Sequence, residues 1–313
     1  MSENGFATAA VIGTGMMGPG IGLTLAMGGV ATTLVSRSEE GARRGLEVAR
    51  AQAALLGANG LLPPTLGALD SSTAFEKIIA GVDLVIESTP EDLGFKQQLF
   101  ARLDALARPG TVLASNTSGL SISAIASLCR SPERVLTTHF WNPAHLMPLV
   151  EIVKGEKTSD AAAQAVRELL GRCGKTPVII KRDCPGQLGN RLQMALVREA
   201  VHIVAEGIAD AEDVDLVART SFGLRLPAYG ILEHQDVVGL DLGFAVLDYV
   251  ARDLASEPHG PDYMRAMVER GELGAKTGRG FYDWSGKDIN EVRTRRDEFV
   301  LEMLRRRRAH PTV

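Results

Sequence analysis

Cysteine is scarce in this 313-residue chain. Cys129, Cys173 and Cys184 are scattered, odd in number and outside any C-x-x-C or Cys/His cluster. That excludes a disulfide framework or a zinc site of ordinary spacing, and no metal is expected; a reducing, cytoplasmic setting fits best. Long apolar runs are missing too. No stretch reaches the roughly 18 residues that read as a bilayer span. The opening MSENGFATAAVIG lacks a basic segment ahead of a long apolar one, so neither a membrane span nor a secretory leader is expected. Positive charge is not in excess, with 34 Lys and Arg against 38 Asp and Glu. Nothing in that balance favours a nucleic-acid partner. Glycine, by contrast, is plentiful at 33 residues, which suggests tight turns and close backbone approaches.

The first half alternates short apolar runs with helix-length segments. Candidate strands are 7–12, 31–35, 82–87, 111–115, 135–140, 149–153 and 177–181, with amphipathic stretches such as 95–107 and 160–173 between them. Such alternation predicts an α/β fold, a doubly wound, mostly parallel Rossmann-like sheet. The runs are continuous rather than alternating, as expected of strands covered on both faces. Pro185 and Gly186 mark a break. Beyond it the pattern is helical, with Leu188, Leu192, Ala195, Leu196, Glu199 and Ile203 on a repeating face. The expected division is a dinucleotide-binding domain over 1–185 and an all-helical substrate and dimerisation domain over 186–313. The basic run 305–308 reads as a solvated helix end.

The segment AAVIGTGMMGPGIG carries Gly13-x-Gly15-x-x-Gly18. A lone G-x-G-x-x-G is a weak signal. Here it follows a strand and opens a helix, with a second strand next, and that context makes it strong. Gly13 permits the tight turn, Gly15 lets a pyrophosphate approach the backbone, and Gly18 lets the helix pack on the strand. The helix N-terminus offers unpaired N–H groups and a positive dipole end to the phosphates. Met16 and Met17 complete the loop and are counted with the cofactor contacts.

About 20 residues further on, the second strand of such a unit delivers an acid to the adenosine ribose. Here Val35 is followed by Ser36 and Arg37. A carboxylate repels a 2′-phosphate, whereas a serine hydroxyl hydrogen-bonds it and a guanidinium pairs with it. NADP rather than NAD is expected on that ground. The alternative is that Arg37 stacks on adenine, or is a solvated charge, while NAD binds through other groups. Glu39 or Glu40 could also reach the ribose if the loop folds back.

Three stretches place polar residues at the ends of candidate strands: ASNTSGLSI (114–122), THFWNPAHLMPLVEIV (138–153) and DCPGQLGNRL (183–192). Ligands of open α/β sheets bind beyond the carboxyl ends of the strands, so these can converge on one crevice. Oxidising a secondary alcohol with a nicotinamide requires a base for the hydroxyl proton, and histidine suits it. His139 ends an apolar strand, and Glu151 follows twelve residues later. A carboxylate on the far imidazole nitrogen fixes the tautomer and stabilises the imidazolium. Ser118 and Asn190 can donate hydrogen bonds to the substrate oxygen. On its own, His139 would read first as a satisfied structural histidine.

Taken together, VIGTGMMGPGI, TPEDLGFKQQLF, SNTSGLSI, HFWNPAHLMPLVEIV, PGQLGNR, GLDL and KTGRGFYDW resemble the 3-hydroxyacyl-CoA dehydrogenase family, in family order across nearly the whole chain. The resemblance implies a Rossmann-like domain followed by a helical dimerising domain, hence a homodimer. It implies His139 as acid or base, Glu151 as its partner, Ser118 and Asn190 at the substrate, and Asn142 steadying the site. Glu91 and Lys96 would line the nicotinamide and ribose side, and Asn116 joins the cofactor contacts. Two departures stand out. The family's usual acid is replaced by Ser36. The excursion after the second strand has Arg43, Arg44 and Arg50 but no lysine, where acyl-CoA members are lysine-rich. Relatives built this way also act on free hydroxy acids, including sugar acids, carnitine and pyridine carboxylates, so the thioester stays open. The expected activity is interconversion of a 3-hydroxyacyl compound, as a CoA thioester or a free acid, with its 3-oxo form. Alternatives are a dehydrogenase of free hydroxy acids only, a non-catalytic dinucleotide-binding protein, and an amino- or imino-acid dehydrogenase on the same nucleotide domain. In the second half, Arg225 either meets a substrate carboxylate across a dimer interface or is an ordinary loop residue. His145 reads as a wall residue and His202 as a helix-packing or surface residue.

Overall fold

The fold is described from a computed structural model, for residues 5–309. It opens with β1 (Thr8–Ile12), α1 (Gly18–Met27), β2 (Ala31–Val35), α2 (Glu39–Ala58), β3 (Leu69–Ser72), α3 (Phe75–Ile79), β4 (Leu84–Glu87) and α4 (Leu93–Leu106). There follow β5 (Val112–Ser115), α5 (Ile122–Ile125), β6 (Val135–Phe140), β7 (Leu149–Lys154), α6 (Asp160–Arg172), β8 (Thr176–Ile180) and α7 (Gly189–Ala205). The chain ends in α8 (Ala211–Thr220), α9 (Phe222–Arg225), α10 (Ile231–Val238), α11 (Leu240–Val250), α12 (Asp262–Glu269) and α13 (Ile289–Ala309).

The eight strands form one sheet in the order β3-β2-β1-β4-β5-β6-β7-β8. Every pair is parallel except β6 and β7, so the doubly wound, mostly parallel sheet expected from the alternation is present. Side chains alternate across it with period two. Ala9, Val11, Leu84 and Ile86 pack on one face with Ile21 and Leu25 of α1 and Val166 and Leu169 of α6. Ala10, Ile12, Val85 and Leu113 pack on the other with Phe100 and Leu103 of α4 and Ile122 of α5. Burial on both faces is why the central strands are continuously apolar.

The alternation did not reveal β3. Its sequence, LDSS, holds one apolar residue, and the strand lies at the sheet edge, where little burial is demanded of it. Strand 177–181 is shifted by one residue, to Thr176–Ile180. Local caps set the helix starts. Ser38 accepts from the Gly41 N–H at 3.2 Å, Asp92 from Phe95 at 2.7 Å and Ser159 from Ala162 at 3.2 Å, each satisfying a donor the first turn leaves free.

The described residues divide into two compact units, one of 5–191 with 297–309 and one of 192–296. In the first, Leu301 from the last turns of α13 joins Leu23, Leu56 and Leu146 in a small core of its own. The second is helical, with short isolated bridges at Gly274, Arg279 and Asp283. Leu188, just before α7, and Leu192 and Leu196 on it are about half exposed, and Val201 is the buried residue of that helix.

Candidate active site

The loop from β1 to α1 has the form a dinucleotide needs. Gly13 has φ +103°, and a Cβ there would stand 2.3 Å from the Ser88 carbonyl oxygen. A Cβ on Gly18 would stand 1.8 Å from the carbonyl oxygen of Gly13, so helix and loop touch only because that side chain is absent. Gly15 meets nothing within 4 Å, leaving open space beside its backbone. Met17, at the N-cap of α1, makes no side-chain cap. The first-turn N–H groups therefore remain for an anion. Met16 is exposed and Met17 half-buried. These features fit a pyrophosphate-bearing cofactor.

The end of β2 lies directly beside this loop. Gly13 N–H donates to the Val35 carbonyl at 2.9 Å, and the Thr14 hydroxyl donates to Ser36 Oγ at 3.3 Å. Ser36 is half-buried and Arg37 exposed. Glu39 does not fold back as a free acid; its Oε1 accepts from the Thr73 hydroxyl at 2.5 Å.

Next along the sheet edge is a buried polar network. Glu87, the last residue of β4, is fully buried and accepts from Lys96 Nζ at 2.6 Å, Ser115 Oγ at 2.7 Å, and the Thr89 N–H and hydroxyl at 2.5 and 2.6 Å. Lys96 Nζ also lies 3.8 Å from Glu91 Oε2. Glu91 Oε1 in turn accepts from the Thr117 hydroxyl at 2.5 Å and the Ser118 and Gly119 N–H groups at 3.0 and 3.1 Å. Lys96 is 1 % exposed. Its ammonium therefore sits behind the crevice wall on which the sequence reading set it, and reaches the site through the two glutamates. Asn116 links strand ends, accepting from Phe140 N–H at 2.9 Å and donating to Ser88 Oγ at 3.3 Å.

His139 and Glu151 stand directly opposite one another on antiparallel β6 and β7. Their side chains meet, with Nδ1 2.8 Å from Glu151 Oε2; His139 is 5 % exposed and Glu151 1 %. Burial pushes the Glu151 carboxyl up, but the bond from His139 and the N–H groups of Gly189 and Leu188, at 2.8 and 3.0 Å from Oε1, outweigh it and hold it below the usual carboxylate range. An ionised Glu151 assigns the proton to Nδ1 and leaves Nε2 as the free nitrogen. Trp141 Nε1 adds a donor to Oε2 at 3.2 Å. The Ser118 carbonyl accepts from Asn190 Nδ2 at 2.9 Å, so those two residues are brought together. Asn142 is exposed at the turn after β6, before a cis peptide to Pro143.

Three contributors escaped the sequence reading. Glu87 was seen only as a strand end, although an acid closing the apolar run VDLVIE was a signal. Trp141 was quoted but given no task. Gln187, at φ +55°, turns the chain so that the next two N–H groups face Glu151, and its Nε2 donates to the Thr117 carbonyl at 2.9 Å. No glycine or Asn-Gly pair marked that left-handed position.

A glycine loop of this build at the edge of a parallel sheet, facing a histidine held by a carboxylate, defines a nicotinamide-dinucleotide oxidoreductase. The chain belongs to the 3-hydroxyacyl-CoA dehydrogenase family. The NAD binding domain of that family matches residues 8–184, and its C-terminal domain matches 186–284. The chain is accordingly an oxidoreductase of hydroxyacyl compounds. A 5-formyl-3-hydroxy-2-methylpyridine 4-carboxylate 5-dehydrogenase of Mesorhizobium japonicum is 32% identical over 301 residues, covering 95% of this chain and 96% of the relative. A probable 3-hydroxybutyryl-CoA dehydrogenase of Deinococcus radiodurans is 36% identical, covering 88% and 99%. Among solved structures, the 5-formyl-3-hydroxy-2-methylpyridine 4-carboxylic acid 5-dehydrogenase, described as an NAD+ dependent dismutase, superposes with a TM-score of 0.90 at 29% identity over 96% of this chain and 97% of its own. The (S)-3-hydroxybutyryl-CoA dehydrogenase of Ralstonia eutropha gives 0.73 at 30% identity over 90% and 99%. No helix among the described residues is long and apolar enough to cross a membrane.

Proposed function

We propose that this protein oxidises a 3-hydroxy acid to its 3-oxo form, and runs the reverse, with His139 as the acid–base group. The observation that carries the reading is the 2.8 Å contact between His139 Nδ1 and Glu151. Held there, the ring offers Nε2 to the substrate hydroxyl and takes its proton, while Glu151 steadies the imidazolium that forms. Bound cofactor supplies the nicotinamide that accepts hydride from the carbinol carbon. Ser118 and Asn190, with Asn142 nearby, hold the substrate oxygen. The Glu91–Thr117–Ser118 bonds fix the turn that carries Ser118. Gly13, Gly15, Met16, Met17 and Gly18 would hold the dinucleotide, with Glu91, Lys96 and Asn116 shaping the far wall.

NADP is the preferred cofactor in this reading. Support comes from Ser36 beside the glycine loop, from exposed Arg37, and from Glu39 being held by Thr73. A free acid is preferred over a CoA thioester. Arg43, one of three cations in α2, is already paired with Glu47 at 2.6 Å, and the likeness to the pyridine-carboxylate enzyme runs the length of both chains. Residues 1–185 serve as the dinucleotide domain and 186–313 as the substrate and dimer domain. Exposed Leu232, Val237, Phe244 and Tyr249 on α10 and α11 support a homodimer, and the sparse, unpaired cysteines support a cytoplasmic setting.

The test follows NADPH and NADH absorbance with acetoacetyl-CoA and a panel of free 3-oxo acids. Turnover faster with NADPH and with a free acid is expected, and no turnover of any 3-oxo compound would overturn the function. His139→Ala should lose roughly 10²–10⁴-fold; retention of more than a few per cent would overturn the mechanism.

A further inference from the structure

A cavity of about 400 Å³ in the first unit is lined by no catalytic or cofactor-binding residue. Leu56 and Leu61 at the end of α2, Leu146 before β7 and Leu304 of α13 give it an apolar wall. Arg172, Lys175, Arg307 and Arg308 give it four cations, and no carboxylate among the described residues lines it. None of the four has an ion-pair partner among the described residues. This is a concentration of one sign in a chain whose formal net charge is −4.

Three of the cations are held by neutral acceptors. Arg307 Nη2 donates to the Thr176 hydroxyl at 2.9 Å and Arg308 Nη1 to the Gly60 carbonyl at 2.5 Å. Lys175 Nζ donates to the carbonyls of Ala144 and Met147 at 2.6 and 3.0 Å. Each guanidinium has five N–H donors, and among the described residues one donor each of Arg307 and Arg308 is engaged. Burial pushes the Lys175 ammonium down to about 8. Lys175 is half-buried and the three arginines are exposed at the rim, so together they set up a positive field over the cavity that favours an anion. The basic end of α13 is exposed, as expected of a solvated helix end, and it also borders this cavity. It brings two guanidiniums to a concave, half-apolar site of a size that takes small molecules.

We propose that this cavity binds an organic anion with a carboxylate or phosphate head and an apolar body, at a site separate from the catalytic one. The cations take the head and the leucines take the body. The two carbonyls that Lys175 holds belong to the segment joining β6, with His139, to β7, with Glu151, so the occupant rests against the support of the catalytic pair.

The experiment is titration calorimetry of the full chain with octanoate, octyl phosphate, octanol and inorganic phosphate. One of the two amphiphilic anions should bind at a single site, and which binds tighter tells carboxylate from phosphate. Octanol and inorganic phosphate should each bind at least roughly tenfold more weakly, since each lacks half of the interaction. The double variant Arg307→Ala/Arg308→Ala should weaken the amphiphile by roughly tenfold or more, the loss expected for a charge-assisted hydrogen bond, with KM for cofactor unchanged. Arg172→Ala, on a different element, repeats the test should the double variant fold poorly. Failure of both amphiphiles to bind, equal binding of inorganic phosphate, or undiminished binding by the arginine variants would each overturn the proposal.

Discussion

Replacing Glu151 by glutamine separates a positioning carboxylate from a merely buried one. Its two oxygens have different partners. Oε1 receives the Leu188 and Gly189 N–H groups, and Oε2 receives His139 and Trp141. A carboxamide has one acceptor end. Two main-chain donors that cannot turn away will claim it, so the NH₂ takes the place of Oε2. There it faces the indole N–H and the imidazole. The ring relieves its side by moving the proton to Nε2 and accepting at Nδ1, while the Trp141 N–H loses its acceptor. One unsatisfied buried donor costs about 1–3 kcal/mol of stability, which urea unfolding reads directly. The larger effect is chemical. With its proton on Nε2, His139 cannot accept one from a hydroxyl, and the oxidative kcat should fall about 10²–10⁴-fold with KM little changed. Nitrogen NMR of the labelled histidines reports the tautomer without any substrate. An oxidative kcat within about tenfold of the parent, or a proton still on Nδ1, would refute the reasoning.

Three further expectations rest on other parts of the molecule. Arg37→Ala should raise KM for NADP by roughly 10–100-fold, the value of a lost charge-assisted contact, and leave KM for NAD nearly unchanged; equal effects on both would mean that the side chain only stacks on adenine. Gly15→Ala adds a methyl that meets no protein atom within 4 Å, so thermal stability should hold while KM for the dinucleotide rises roughly tenfold or more; an unchanged KM would remove Gly15 from the phosphate contact. Asp104 accepts from the Arg130 and Ser131 N–H groups and from Arg134. Burial raises its carboxyl, and the Arg134 bond with the two N–H groups outweighs it, so the net shift is below the ordinary 3.8. Its contribution is therefore complete above that value and fades as pH falls through the lower, folded one. Asp104→Asn should lose about 3 kcal/mol at pH 7 and flatten part of the acid limb in urea unfolding, and a parent-like midpoint at pH 7 with a parent-like acid limb would refute this.

What the sequence made legible, and what it hid, follows from how locally each feature is encoded. The strands of the sheet centre are readable because burial on both faces demands unbroken apolar runs, whereas edge strand LDSS answers to no such demand. The pairing of His139 with Glu151 could be suspected from polar residues ending two strands. Its geometry depended on β6 and β7 being antiparallel, a register that spacing alone does not state. The Glu87–Lys96 pair crosses from a strand end to a helix face, and a lysine buried on an amphipathic helix contradicts the pattern that finds helices in the first place. The contact of Leu301 with Leu23, Leu56 and Leu146 joins ends of the chain far apart in sequence, and the arginines around it mask the short apolar stripe. Ser36 and Arg37 show where legibility changes character. The place of Ser36 follows from the strand and the Gly13-to-Val35 bond, which any residue there would inherit. Arg37 is exposed, so the fold supplies its position and the ligand supplies its conformation. Cofactor preference at this corner is thus written in residue type alone, which is why a substitution and a pair of KM values can read it where the arrangement of the backbone cannot.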